Sequence, residues 1–186
     1  MSYIEEVCDA VVEHDIDNLI TLLDDSPAAI NAFNIIGWTP LHHAVDLEFS
    51  EVVELLVNSF SADVNLRTRD SNQWTALHIA SFWGHSELVV LLLQCENLNI
   101  NALDSQRRTA LHLAANCGHS DIVRLLLSEG AKSNLLSAAS EKPYDLAHKS
   151  GHASCAKMLK ISGNFQTPHI KFLCFYRRNP LHQRTN

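Results

Sequence analysis

The hexapeptide Thr39-Pro40-Leu41-His42-His43-Ala44 returns as Thr75-Ala76-Leu77-His78-Ile79-Ala80 and again as Thr109-Ala110-Leu111-His112-Leu113-Ala114. A degraded fourth copy reads Lys142-Pro143-Tyr144-Asp145-Leu146-Ala147. The first residues of these copies lie 36, 34 and 33 positions apart. A near-constant period in this range marks a stack of small structural repeats, each burying its apolar face against its neighbours.

Working outward from Thr75, Leu77, Ile79 and Ala80 recur at helical spacing, and Gly84 is positioned to end that helix in the left-handed region. Ser86 is the N-cap candidate of a second helix, made strongly apolar by Leu88, Val89, Leu91, Leu92 and Leu93. The third copy repeats this grammar through Gly118, His119, Ser120 and the run from Ile122 to Leu127. Helices of about 8–10 residues are not stable alone, so the pairs must stack.

These features resemble the ankyrin-repeat family: the T-x-L-H-x-A hexapeptide, Gly-His between helices, and Leu/Val-rich second helices. The resemblance covers residues 1–163 and implies an all-α solenoid of about five stacked units, each a helix–turn–helix pair with a β-turn finger. Aligned on the hexapeptide, the units are 1–33, an N-terminal capping repeat; 34–69, 70–103 and 104–136, three full repeats; and 137–163, a degenerate C-terminal repeat. Within the cap, Ile4 to Val11 reads as a first helix and Ile16 to Leu23 as a second. Residues 164–186 form a basic and aromatic tail.

Departures from the pattern carry expectations of their own. The long first spacing places two extra residues in or near Asn58–Ala62. The turn glycine two before the motif threonine, Gly37, becomes Gln73, Arg107 and Ser140 later, which predicts less tightly made turns. Lys142 and Asp145 stand where the other copies have Thr and His, as if an ion pair replaced a neutral hydrogen bond.

Charge is unevenly distributed. Residues 1–66 hold thirteen Asp and Glu and no Lys or Arg, whereas residues 165–186 hold four bases and no acid; the net charge is −7. An acidic N-terminal half either steers a basic partner or simply keeps the helix faces solvated. It also argues against nucleic acid, which needs clustered Lys or Arg. No window approaches the ~18 apolar residues of a membrane span. The tail's Ile170–Tyr176 run with Arg177 and Arg178 leaves only a weak membrane-surface option through residues 170–178. Five scattered cysteines and an acidic N-terminus without a secretory pattern point to the cytoplasm or the nucleus.

The eleven histidines invite a metal hypothesis. His42, His78 and His112, however, share the fourth place of the hexapeptide, where the resemblance implies hydrogen bonding across neighbouring turns. His85, His119 and His152 all follow the position between the helices. This spacing gives no closed tetrahedral set, so neither a metal nor another cofactor is expected. Cys117 beside His119 lacks an orienting third group and an oxyanion hole, and no phosphate-binding or H-E-x-x-H motif occurs. No enzymatic activity is expected.

The resemblance also implies where a protein partner binds: on the concave side, along the finger tips and the inner face of each first helix. Carried onto this chain, the finger positions are Ile35, Ile36, Trp38, Ser71, Asn72, Trp74, Ser105, Gln106 and Arg108. The first-helix positions are His43, Asp46, Leu47, Phe82, Trp83 and Asn116, with Cys117 beside the last. All three tryptophans fall in the set, as suits an interface core. A partner-contact role for Trp74 and Arg108 predicts that truncating both leaves unfolding nearly unchanged, whereas a packing role predicts a large loss of stability. The function expected is that of a monomeric scaffold or adaptor; the alternative is an N-terminal targeting module of a larger signalling, lipid-transfer or enzymatic protein.

Overall fold

In the computed structural model, residues 2–162 are described. Ten α-helices follow in order: α1 (Tyr3–Val12), α2 (Ile16–Asp25), α3 (Pro40–Asp46), α4 (Ser50–Glu54), α5 (Ala76–Trp83), α6 (Ser86–Leu93), α7 (Ala110–Cys117), α8 (Ser120–Ser128), α9 (Pro143–Lys149) and α10 (Ala153–Ser162). No strand occurs among the described residues. The odd-numbered helices stack on one another as an inner layer, and α4, α6, α8 and α10 stack as an outer one. The core runs unbroken between the layers, from Val7, Val11 and Leu19 through Leu56, Ile79 and Leu92 to Leu111, Leu126 and Leu159. Each pair is too short to fold alone and gains its stability from its neighbours.

The hexapeptide explains how each inner helix starts. The Thr75 hydroxyl and the Thr75 N–H both lie against His78 Nδ1, at 2.8 and 3.3 Å. Nδ1 therefore accepts, and Nε2 must carry the proton. His78 Nε2–H then donates to the Arg108 carbonyl of the next finger at 3.1 Å. His42 does the same from Thr39 to the Leu66 carbonyl, and His112 from Thr109 to the Glu141 carbonyl, at 3.1 and 3.2 Å. Each imidazole thus caps its own helix, and those of His78 and His112 also tie their helices to the following repeat. In the fourth copy Asp145 accepts the main-chain N–H of Lys142 at 2.8 Å. The anticipated Lys142–Asp145 ion pair is thereby replaced by a helix cap, while Lys149 pairs with Glu141.

The second histidine ladder explains the glycines between helices. Gly84 and Gly118 sit at φ +91° and +81°, and a methyl group on either would press into the His119 or His152 ring of the next repeat at 2.7 or 2.5 Å. Glycine leaves room for His119 Nε2 to donate to the Phe82 carbonyl at 3.0 Å. In the first full repeat the corresponding residue is Glu48, at φ +58°. Its side chain draws His85 Nδ1 to Glu48 Oε1 at 3.2 Å, and His85 Nε2 is left buried without a partner. The residues preceding α6 and α8 as caps are His85 and His119, so Ser86 is the first residue of its helix rather than its N-cap.

The extra residues of the first spacing lie elsewhere than expected. Three fingers close between positions four apart: Asn34 to Trp38, Asp104 to Arg108 and Ser137 to Glu141. The second closes between Thr68 and Trp74, two residues wider. Asp70 fills this wider turn, its Oδ1 accepting from Thr68 Oγ1 and the N–H groups of Asn72 and Gln73 at 2.8, 2.9 and 3.2 Å. The Asn58–Ala62 region instead carries a π-helical turn, Leu55–Ser59. The later turns are not loosened by losing glycine. Gln73, Arg107 and Ser140 take the same left-handed conformation as Gly37, at φ between 54° and 61°. Neighbouring fingers are joined by Arg69 N–H to the Gly37 carbonyl, Ser105 N–H to Asn72 and Ala138 N–H to Gln106.

Candidate functional site

Every residue singled out from the sequence on the fingers and the inner helices is exposed or half-buried. The finger tips Ile35, Ile36, Ser71, Ser105 and Gln106 are exposed, as are Leu47 and Trp83 at the ends of α3 and α5. Trp38, His43, Asp46, Asn72, Trp74, Phe82, Arg108 and Asn116 are half-buried.

The three tryptophans divide by what their indole N–H donates to. Trp38 Nε1 reaches Asp70 Oδ2 of the next finger at 3.1 Å, and Trp74 Nε1 reaches Asp104 Oδ2 at 3.2 Å. Each is a staple between consecutive fingers. Trp83 is 55% exposed, and its Nε1 donates to Asp46 Oδ1 on α3 at 2.8 Å. Trp74, Phe82 and Trp83 form a run of rings with centroids 5.0 Å apart at each step. Trp83 is thus held in place while about half of its surface remains open to solvent.

Asp104 explains Arg108. Its side chain is wholly buried and accepts from the N–H groups of Gln106 and Arg108, from Trp74 Nε1, and from Arg108 Nε and Nη2. Arg108 is therefore committed to its own finger, and Trp74 to the same carboxylate. The near-neutral double truncation expected of a pure contact pair does not fit this geometry; a large loss of stability does. Beyond it, a cleft of about 430 Å³ is lined by Gln106, Arg108, Asn116, Ala139 and Glu141 among others. Ser150 Oγ donates to Asn116 Oδ1 there, at 3.1 Å.

At the N-terminal end the face is acidic and ordered. Glu5 Oε1 accepts the Ile35 N–H at 2.8 Å, linking α1 to the first finger. Asn34 Oδ1 accepts the Trp38 N–H, so its Nδ2 donates to His43 Nε2 at 2.9 Å. His43 is held below its ordinary pKa by burial, while Asp46, Glu5 and Asp9 oppose that shift. Glu5, Asp9, Asp70 and Asp104 were not singled out from the sequence. Asp70 and Asp104 stand five residues before a motif threonine, as Asn34 does and as Ser137 does before Lys142, so the period itself marks that place.

Burial raises the thiols of Cys8, Cys95, Cys117 and Cys155, Cys8 to about 12, the opposite of an activated nucleophile. Among the described residues no group of three or more His, Cys, Asp or Glu is placed to hold a metal ion. No described helix is long and apolar enough to cross a membrane. The tail option at residues 170–178 lies outside the described residues.

Comparison with known proteins agrees with this geometry. The profile of ankyrin repeats (3 copies) matches residues 7–104 and 84–171. The human Notch-regulated ankyrin repeat-containing protein is 38% identical over 79 residues, 42% of this chain and 67% of the relative. The Xenopus tropicalis protein of the same name is 37% identical over an equal span. Notch-regulated ankyrin repeat-containing protein B of Danio rerio is 45% identical over 64 residues, 34% of this chain and 55% of the relative.

Proposed function

Because the chain belongs to the ankyrin-repeat family, we propose that it is a non-enzymatic adaptor that holds a protein partner along its inner face, centred on Trp83, Asp46 and Leu47 with the finger tip Ile35–Ile36. The observation that carries this reading is the open indole of Trp83. A large aromatic ring fixed through its N–H by a carboxylate and packed against Phe82 has paid its ordering cost before any partner arrives. Leu47, Ile35 and Ile36 add exposed apolar area on the same side of the stack, at 40%, 89% and 56% exposure. Trp38, Trp74 and Arg108 serve this surface as its frame. The units 1–33, 34–69, 70–103, 104–136 and 137–163 act together as one rigid support. Among the described residues four free cysteines with raised thiol pKa values suit a reducing cytoplasmic or nuclear compartment.

The test is site-specific photo-crosslinking in cells. A benzophenone amino acid at Leu47 is expected to capture a discrete protein adduct, whereas the same group at exposed Glu51 or Arg124 on the outer helices is expected to capture little. Equal or stronger adducts from Glu51 or Arg124 would move the binding surface to the outer layer and reject the proposal.

A further inference from the structure

The exposed apolar residues Ile35, Ile36, Leu47 and Trp83 share the N-terminal half of the stack with the carboxylates of Asp46, Glu5 and Asp9, and this bears on what can bind there. Trp83 takes one oxygen of Asp46 and leaves the carboxylate beside a half-exposed indole. One turn back along α3, His43 lies within the influence of Asp46, Glu5 and Asp9. No Lys or Arg occurs in residues 1–66 to neutralise them. Arg69, from the wider second finger, is committed elsewhere, its guanidinium 3.9 Å over the Phe33 ring. A surface of this sign repels an acidic partner and attracts a cationic one.

We propose, building on the inner-face reading above, that the partner is a basic protein segment that lays an apolar or aromatic side chain against Leu47 and Ile36, sets one Lys or Arg over the Trp83 ring beside Asp46, and brings a second to Glu5 and Asp9. A cation over an indole with a carboxylate at the ring edge gains from both the ring quadrupole and the full charge. The N-terminal acidity thereby serves recognition and association rate rather than stability.

The experiment selects a random twelve-residue peptide library, displayed on phage, against the full chain. Enriched peptides are expected to carry at least two Lys or Arg next to an aliphatic or aromatic residue. The strongest of them, as a fluorescein-labelled peptide followed by anisotropy, is expected to lose tenfold or more in affinity on Asp46→Asn and on Trp83→Ala. It is also expected to weaken severalfold between 50 and 200 mM NaCl, since exposed charge pairs are screened. Circular dichroism on both variants separates lost contact from lost folding, and Asp46→Asn preserves the shape of the site. Enrichment of acidic or uncharged peptides that still depend on Trp83 would overturn the basic-segment assignment while leaving the inner-face reading intact. Binders indifferent to Trp83 and Asp46 but lost on Arg124→Glu would overturn both. Carbodiimide coupling of Lys171 to Glu5, Asp9 or Asp46 in the free chain would overturn it as well: a dilution-independent coupling gives this surface to the chain's own tail, and a dilution-sensitive one gives it to a second copy.

Discussion

Replacing Asp104 by alanine is expected to destabilise the protein by about 3–5 kcal/mol. Its carboxylate is wholly buried and is shared by two main-chain N–H groups, the Trp74 indole and the Arg108 guanidinium. Truncation strands a half-buried cation and leaves the third finger's amides without their acceptor. It also releases the ring that joins the second finger to the third. Urea unfolding followed by circular dichroism measures this loss, and Asp104→Asn should recover part of it by keeping an acceptor oxygen. A loss below about 1 kcal/mol, the range of an exposed ion pair, would show that the cluster is not a structural centre.

The second large effect is expected at His78. Burial holds this imidazole, and that of His42, down to about 4, and lowers that of His112. The unfolded chain binds the His42 and His78 protons near pH 6.5, the folded chain only near 4. Between those values the unfolded state carries more protons, so stability rises with pH. It is complete above about pH 6.5 and is lost on acidification towards 4. His42 and His78 are each expected to contribute roughly 3 kcal/mol to this slope. At neutral pH, His78→Ala removes the cap on Thr75 and the bond to the Arg108 carbonyl and opens a cavity, a loss of about 3–4 kcal/mol. Urea midpoints collected from pH 4 to 8 should fall steeply below 6.5 in the wild type and less steeply in His78→Ala. A flat wild-type profile would contradict the neutral, doubly bonded imidazole.

Much of this architecture is legible from the hexapeptide. Its leucine and alanine announce the stacking face, and its resemblance to a known repeat implies the finger positions and a histidine bond across turns. The cap that Thr and His make on the helix shows only in the geometry. What remained hidden depends on contacts between repeats. Asp70 and Asp104 occupy the same place before a motif threonine, yet one fills a turn two residues wider than the other. Counting residues between threonines cannot say where an insertion sits. The tryptophans pose the same problem. Trp38, Trp74 and Trp83 all fall on the inner face, and only the stacking of fingers pairs the first two with Asp70 and Asp104 and leaves the third open. Glu48, in place of the inter-helix glycine, likewise becomes meaningful only once His85 is seen turned towards it.

The central claim is this division of labour, with Trp83 open for a partner and Trp74 bound into the frame. The measurement that tests it most directly compares Trp83→Ala with Trp74→Ala, recording thermal unfolding and the yield of the adduct captured through residue 47. Trp83→Ala is expected to shift Tm by less than about 2 °C, as for an exposed side chain, and to abolish most of the adduct. Trp74→Ala is expected to lower Tm by about 5 °C or more through the lost bond to Asp104 and the lost packing on Phe82. The reverse pattern, in which Trp83 governs unfolding and its removal leaves the adduct intact, would contradict the account.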